Sequence, residues 1–178
     1  MADRLTPQQR HHIMSSIHAS STKPELRLRK ELWERGYRYR INDKRFAGTP
    51  DIVLPKYRTA IFVHGCFWHG HKGCKNYVIP KTNTSFWVEK ITRNQKRDED
   101  VWRKLEAKGW YVVVIWECEL KKGVIESTIE RIQKTLYANR EAFLRHKVER
   151  AANRQQRMLE RKEQKRRTNE LLLELSKI

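Results

Sequence analysis

The stretch from Thr59 to Asn76, TAIFVHGCFWHGHKGCKN, restricts the fold more than any other segment. It begins as a short apolar strand and then crowds three histidines and two cysteines together. The spacing Cys66-x4-His71-x2-Cys74 offers three metal ligands from one loop, and Cys118, just past the apolar run WYVVVIW, offers a fourth. Adjacent strands of a sheet end near one another, so a Cys3His tetrahedron would tie this loop to the end of a second strand. Four protein ligands leave no open position, which makes the ion a structural Zn2+. The alternative is three unrelated buried thiols, since free cysteine behaves as a small hydrophobe. That every cysteine in the chain is used favours the metal.

A net charge of +18 over 178 residues points to a polyanionic partner, nucleic acid before an anionic membrane. The basic character is not confined to a tail: 12 basic and 6 acidic residues lie from Leu136 to Ile178, and 27 basic and 15 acidic residues precede them. No apolar run approaches the roughly 20 residues that span a bilayer. The opening MADRLTPQQR lacks an apolar signal region. Unpaired cysteines with metal-like spacing complete the expectation of a reduced, cytoplasmic protein.

Thr6-Pro7-Gln8-Gln9 and Thr22-Lys23-Pro24-Glu25 both carry helix-start signatures. The first predicts a short helix with His11, His12, Met14 and His18. The second predicts a helix to about Arg35, stopped by Gly36, with Leu26, Leu32 and Trp33 as its apolar side. Tyr37–Ile41 reads as an edge strand. Asp51–Leu54 and Thr59–Val63 read as a hairpin, Thr84 to about Lys108 as a long helix, and Trp110–Trp116 as a central strand buried on both faces. A helix from about Val124 to Asn139 closes the core. Residues 140–178, free of Pro and Gly, form a charged helical extension to a domain spanning 1–139.

Three further constellations carry chemistry. Asp51 opens one strand while its antiparallel neighbour runs into His64. A carboxylate so placed suits Mg2+ on a phosphodiester, with a carbonyl near Val63 as a second oxygen ligand; a plain turn aspartate is the alternative. His64 and His69 are left over by the zinc count, and a spare histidine beside a bound phosphate suits a general base. On the long helix, Trp87, Ile91, Asn94, Asp98, Trp102 and Leu105 share a face. Asp98 then orients a histidine and Asn94 touches a ligand, or both sit solvated at the stripe's edge; periodicity leaves both open. Phe67, Trp68 and Trp87 either insert between bases or pack in the core. Lys72, Lys75, Lys81, Lys90, Arg93, Lys96 and Arg97 around them favour DNA.

These blocks together resemble the very-short-patch repair (Vsr) endonucleases, bacterial enzymes that nick DNA at T:G mismatches. The likeness runs from about Met14 to Cys118 through PELRLRKEL, GTPDIVLP, IFVHGCFWHGH, FWVEKITRNQKRD and GWYVVVIWEC. It implies an α/β fold of the PD-(D/E)xK nuclease kind, a mixed sheet flanked by helices, with Phe62-Val63-His64 where that wider motif has acid-x-lysine. It implies Asp51 as the essential Mg2+ ligand, helped by the Val63 carbonyl. His69 becomes the base or the orienter of the attacking water, with Glu25, His64 and Asp98 auxiliary. Cys66, His71, Cys74 and Cys118 match a structural zinc. Phe67, Trp68 and Trp87 match intercalating aromatics, with Met14 entering from the other groove, and Lys90 and Asn94 match positions that read the mismatched pair.

The expected function is therefore Mg2+-dependent nicking of the thymine strand 5′ of a T:G mismatch left by 5-methylcytosine deamination. The resemblance further implies a monomer near the bacterial nucleoid and a MutL-like partner. HGHKGC is one residue longer than the family pattern between its second histidine and its cysteine, which leaves His69 competing with His71 for the fourth zinc position. Other readings are a zinc-stabilised mismatch-binding module without catalysis, a less specific nickase of the same fold, and a catalytic zinc held by His69 and His71.

Overall fold

The computed structural model describes residues 8–9 and 21–175. Gln8 and Gln9 are helical, and the rest of the expected first helix, Met14 included, lies outside the described residues. The elements then run α1 (Lys23–Glu34), β1 (Ile52–Leu54), β2 (Thr59–His64), α2 (Thr84–Glu106), β3 (Tyr111–Trp116) and α3 (Ile125–Leu175). Short 3-10 turns, Pro55–Tyr57 and Glu117–Leu120, follow β1 and β3.

One three-stranded mixed sheet organises the domain, in the order β1-β2-β3. β1 pairs antiparallel with β2, and β2 pairs parallel with β3 from Thr59↔Tyr111 to His64↔Trp116. Parallel pairing needs a crossover, and α2 supplies it. Leu28 and Leu32 of α1 and Ile129, Ile132 and Leu136 of α3 pack on one sheet face with Ile52, Leu54, Ile61, Val113 and Ile115. The other face carries Ala60 and Phe62 against Leu105 of α2, with Val101, Trp102 and Trp110 around them.

Several expectations change. β2, not Trp110–Trp116, is the central strand buried on both faces. β3 lies at the sheet's edge, and only Val113 and Ile115 along it are buried. An unbroken β-branched run fits a doubly covered strand, but a three-stranded sheet has just one interior place. Leu26 and Trp33 of α1 are 52% and 55% exposed, whereas Glu25, Leu28, Arg29 and Leu32 form its buried stripe. The two charged members are accommodated because Arg29 Nη2 donates to Glu25 Oε2 at 3.0 Å. Tyr37–Ile41 contributes only an isolated bridge, Arg40 to Val53. Finally, α3 runs without a break through Asn139 and Arg140 to Leu175.

Candidate active site and metal centre

β2 and β3 deliver their last residues, His64 and Trp116, to the same end of the sheet because they run parallel and in register. The clustered histidine, cysteine and carboxylate side chains of the described residues gather there. Antiparallel pairing brings Asp51, just before β1, to the same end, and its Oδ2 accepts the Val63 amide proton at 2.7 Å. In an extended strand a residue's N–H and C=O point to the same edge, so the Val63 carbonyl also faces the Asp51 side. Burial pushes the Asp51 carboxyl up to about 6, with the neighbouring Glu25 charge pushing the same way and the Val63 hydrogen bond and Arg29 opposing. A half-buried carboxylate next to a strand-end carbonyl is the oxygen-rich, incompletely compensated setting that suits a hard divalent cation.

Behind Asp51, the Glu25 carboxylate accepts the amides of Ser21 and Thr22 at 2.9 and 3.3 Å and the Thr22 hydroxyl at 2.8 Å. Glu25 thus closes the start of α1. Arg29, buried one helical turn on, also reaches the Asp51 carbonyl and Asn42 Oδ1, each at 3.3 Å. The sequence offered Arg29 as a signal only through its i,i+4 spacing from Glu25.

The second group is His64, His69 and Asp98. His69 Nδ1 donates to Asp98 Oδ2 at 2.5 Å, which leaves its Nε2 as a base. The His64 ring stacks on His69 with centroids 3.7 Å apart, and its Nδ1 lies 3.9 Å from Asp98 Oδ2. Burial, then electrostatic repulsion from the neighbouring His69 ring, pushes His64 down to about 4. Asp98, open to two readings in the sequence, is thus buried and paired with a histidine. Asn94 donates to the Trp68 carbonyl at 2.8 Å, and Gln95 donates to the His69 carbonyl at 3.2 Å. α2 therefore grips the backbone of the loop as well as the His69 ring.

Cys66, His71, Cys74 and Cys118 form the third group, with one ligand atom from each within 4.8 Å of all the others. His71 Nδ1 lies 3.4 Å from Cys66 Sγ and 3.5 Å from Cys118 Sγ. A tetrahedral ion with Zn–S of about 2.3 Å and Zn–N of about 2.0 Å has an S···N edge of roughly 3.5 Å, so the donor set fits. Burial pushes the Cys66 thiol up to about 12, while the Asn76 amide lowers Cys74. A bound cation would displace these protons, as thiolates are the ligating form. Trp116 stacks flat on His71 at 4.1 Å, and Glu117 Oε1 accepts the Cys66 amide at 3.1 Å; nothing in the spacing foreshadows these two supports. Gly70, at φ +67°, parts His69 from His71, and a Cβ there would collide with Gln95 and Ile91. His69 accordingly faces Asp98, and His71 faces the thiols.

Beside the histidines, Phe67 lies edge-on to both Trp68 and Trp87, with centroids 5.2 Å apart in each case. Phe86, 53% exposed, extends the cluster. It precedes Trp87 in sequence, where the helical stripe that singled out Trp87 passes over it. Lys90 Nζ sits 5.1 Å from the Trp68 ring centroid and 5.8 Å from that of Trp87, a cation held over aromatic faces at the edge of the site.

The sequence that builds this site has known relatives. A sequence model of the DNA mismatch endonuclease Vsr matches residues 2–76. A type II nicking enzyme of Neisseria meningitidis serogroup A is 50% identical over 133 residues, covering 74% of this chain and 94% of that protein. A type II nicking enzyme of Xanthomonas oryzae pv. oryzae is 44% identical over 133 residues, 74% and 97% of the two chains. The DNA mismatch endonuclease Vsr of Escherichia coli K12 is 39% identical over 136 residues, 75% and 86% of the two. Likeness at this level over nearly the full length of the relatives extends well past a shared motif, and the chain belongs to the Vsr family of DNA mismatch endonucleases, enzymes that hydrolyse DNA.

Proposed function

We propose that this endonuclease nicks the thymine-containing strand on the 5′ side of a T:G mismatch, in a reaction that depends on Mg2+. The observation that carries the reading is the convergence, at one strand end, of Asp51 and Val63 with the His64–His69–Asp98 group. Asp51 and the Val63 carbonyl are the groups that would hold Mg2+, which when bound neutralises charge on the scissile phosphate and polarises it. His69 Nε2 takes the proton of the attacking water as its oxygen bonds to phosphorus, and the P–O bond to the leaving sugar oxygen breaks. Asp98 fixes the His69 tautomer, His64 supports the ring as a neutral imidazole, and Glu25 with Arg29 holds Asp51 in place.

Zn2+ on Cys66, His71, Cys74 and Cys118 is structural in this reading, keeping the loop rigid for base and aromatics. Phe67, Trp68 and Trp87 enter the stack at the weakly stacked pair, with Lys90 and Asn94 close to it and Met14 in the opposite groove. Residues 1–139 are then the catalytic domain, of PD-(D/E)xK descent, and 140–178 an added helix. T:G pairs arise when 5-methylcytosine deaminates, which places the enzyme with chromosomal DNA in the bacterial cytoplasm, acting as a monomer alongside a MutL-like repair protein.

The test is strand scission of T:G and C:G duplexes of one sequence, with and without Mg2+. Nicking of the T strand alone, dependent on Mg2+ and lost in Asp51→Asn, is expected. Equal cutting of both duplexes overturns the specificity, and binding without scission reduces the chain to a recognition module.

A further inference from the structure

The distal half of α3 has no counterpart in the chemistry above. Every residue from Leu144 to Glu170 is exposed. Its charges are nonetheless sorted. Advancing about 100° per residue, Lys147, Arg150, Arg154, Arg157, Arg161 and Lys165 fall within an arc of about 80°. Glu141, Glu149, Glu160, Glu163 and Glu170 all fall on the opposite side. The ion pairs follow the same division: Arg167 with Glu163 at 2.7 Å, Arg166 with Glu170 at 3.5 Å and His146 with Glu149 at 3.4 Å. Among the described residues none of the six stripe cations has an acidic partner.

Such an arrangement works against the helix when it stands alone. Lys147/Arg150, Arg150/Arg154, Arg154/Arg157, Arg157/Arg161 and Arg161/Lys165 are like charges three or four apart, and each such pair destabilises a helix. A solvated helix is better served by alternating signs. A one-signed face is favourable where an external polyanion supplies the opposite charge.

The apolar residues do not offer a competing partner. Leu144, Val148, Ala151 and Met158 share a row, but Gln155 and Lys162 interrupt it, so no continuous seam exists for a second copy of the chain. The stripe rises about 27 Å along the helix from residue 147 to 165, comparable with about eight base pairs of one DNA strand. A helix of this width also fits the roughly 12 Å major groove.

Its location separates it from cleavage. Asn139 donates to Thr59 Oγ1 at 3.1 Å, and the Arg58 guanidinium lies 5.6 Å from the Phe143 ring and 4.4 Å from the Trp110 ring. α3 thus leaves the domain beside the starts of β2 and β3, whereas His64 ends β2 about 17 Å away. We infer that the Lys147–Lys165 stripe is a second, sequence-independent contact to the phosphates of double-stranded DNA, remote from the cleavage end. It rests on the family's DNA partner and not on the proposed mismatch or metal.

The test compares two full-length variants that each lose three charges: R154Q/R157Q/R161Q on the stripe and R145Q/R166Q/R167Q on the acid-bearing side. Affinity for a fully matched duplex of about three helical turns is measured against salt. The stripe variant is expected to lower the slope of log K on log salt by about 2 to 3, and affinity at about 0.1 M salt roughly 10²-fold. The control variant changes both much less, and R154K/R157K/R161K keeps the parent slope because the contact is charge on phosphate. Helix content by circular dichroism and nicking by saturating enzyme stay at parent level in all three. Equal losses from both faces, loss in the lysine variant, or an unchanged slope overturns the inference. So does sedimentation that shows a dimeric parent and a monomeric stripe variant, which would make the face a subunit contact. Failure of mismatch specificity would leave the slope difference intact.

Discussion

The His69 imidazole is held from two directions, by the Asp98 carboxylate at Nδ1 and by the His64 ring stacked on its face. Asp98→Asn keeps the volume but removes the charge that, in the proposed mechanism, stabilises the imidazolium formed when His69 takes a proton. The single-turnover nicking rate should fall about 10²–10⁴-fold. Affinity for the mismatched duplex should stay within a few-fold, because Asp98 is buried behind the ring. A matching loss of affinity would assign Asp98 to DNA binding instead.

Asp51 and His64 oppose one another in the pH dependence of stability. Burial raises the folded Asp51 carboxyl to about 6 against an ordinary 3.8. Between those values the folded chain keeps a proton that the unfolded chain has lost, so stability falls as pH rises, by up to about 3 kcal/mol. His64, at about 4 against 6.5, does the reverse: the unfolded chain binds the proton first, and stability rises with pH by a similar amount. The two offset each other from about pH 4 to 6, and His64 acts alone from there to 6.5. Asp51→Asn should therefore be more stable than the parent at neutral pH, by about 2–3 kcal/mol, and inactive. Its stability should then fall on acidification through that window. Denaturant melts without added Mg2+ at several pH values check this, and a flat profile for the variant refutes it.

Cys118→Ser removes, in the proposed zinc site, the one ligand that comes from beyond β3. Zinc content should fall from about one per chain towards zero, and unfolding should shift to lower temperature, since metal binding to a folded site is folding free energy. In the parent, Co2+ should give thiolate charge-transfer absorption typical of a Cys3His tetrahedron. An unchanged metal content would mean that Cys118 is a bystander.

Trp68→Ala should erode discrimination more than affinity for ordinary DNA. Stacking on an aromatic contributes about 1–3 kcal/mol per base, so the ratio of mismatched to matched affinity should drop about 5- to 150-fold while matched affinity changes little. Parallel losses on both duplexes would make Trp68 a packing residue. Phe86→Ala, at the rim of the same cluster, should show a weaker version of the same effect.

Helix limits and hairpin pairing were legible because they depend on local chemistry: Thr22 and Glu25 start α1, Gly36 and Gly109 follow helix ends, and β-branched runs make strands. Burial was less legible. Glu25 and Arg29 enter the core as a pair, which no apolar periodicity reveals, and they displace Leu26 and Trp33 to the surface. WYVVVIW looked central because apolarity does not report how many strands a sheet has. At the site, residue types and spacing brought together the cluster of Cys66, His71, Cys74 and Cys118 and the group of His64 and His69. The supports from Trp116, Glu117 and Gln95 depend on tertiary approach alone.

The position of Cys118 also sets an order of events. Cys66, His71 and Cys74 emerge from synthesis together, whereas the fourth ligand follows only after α2 and β3. With the proposed zinc site, a nascent chain would hold the ion through three loop ligands and an open place. That place would close when β3 docks alongside β2, so full retention of the ion would be a readout of finished topology, and a chain arrested before its last strand would surrender its metal to a mild chelator.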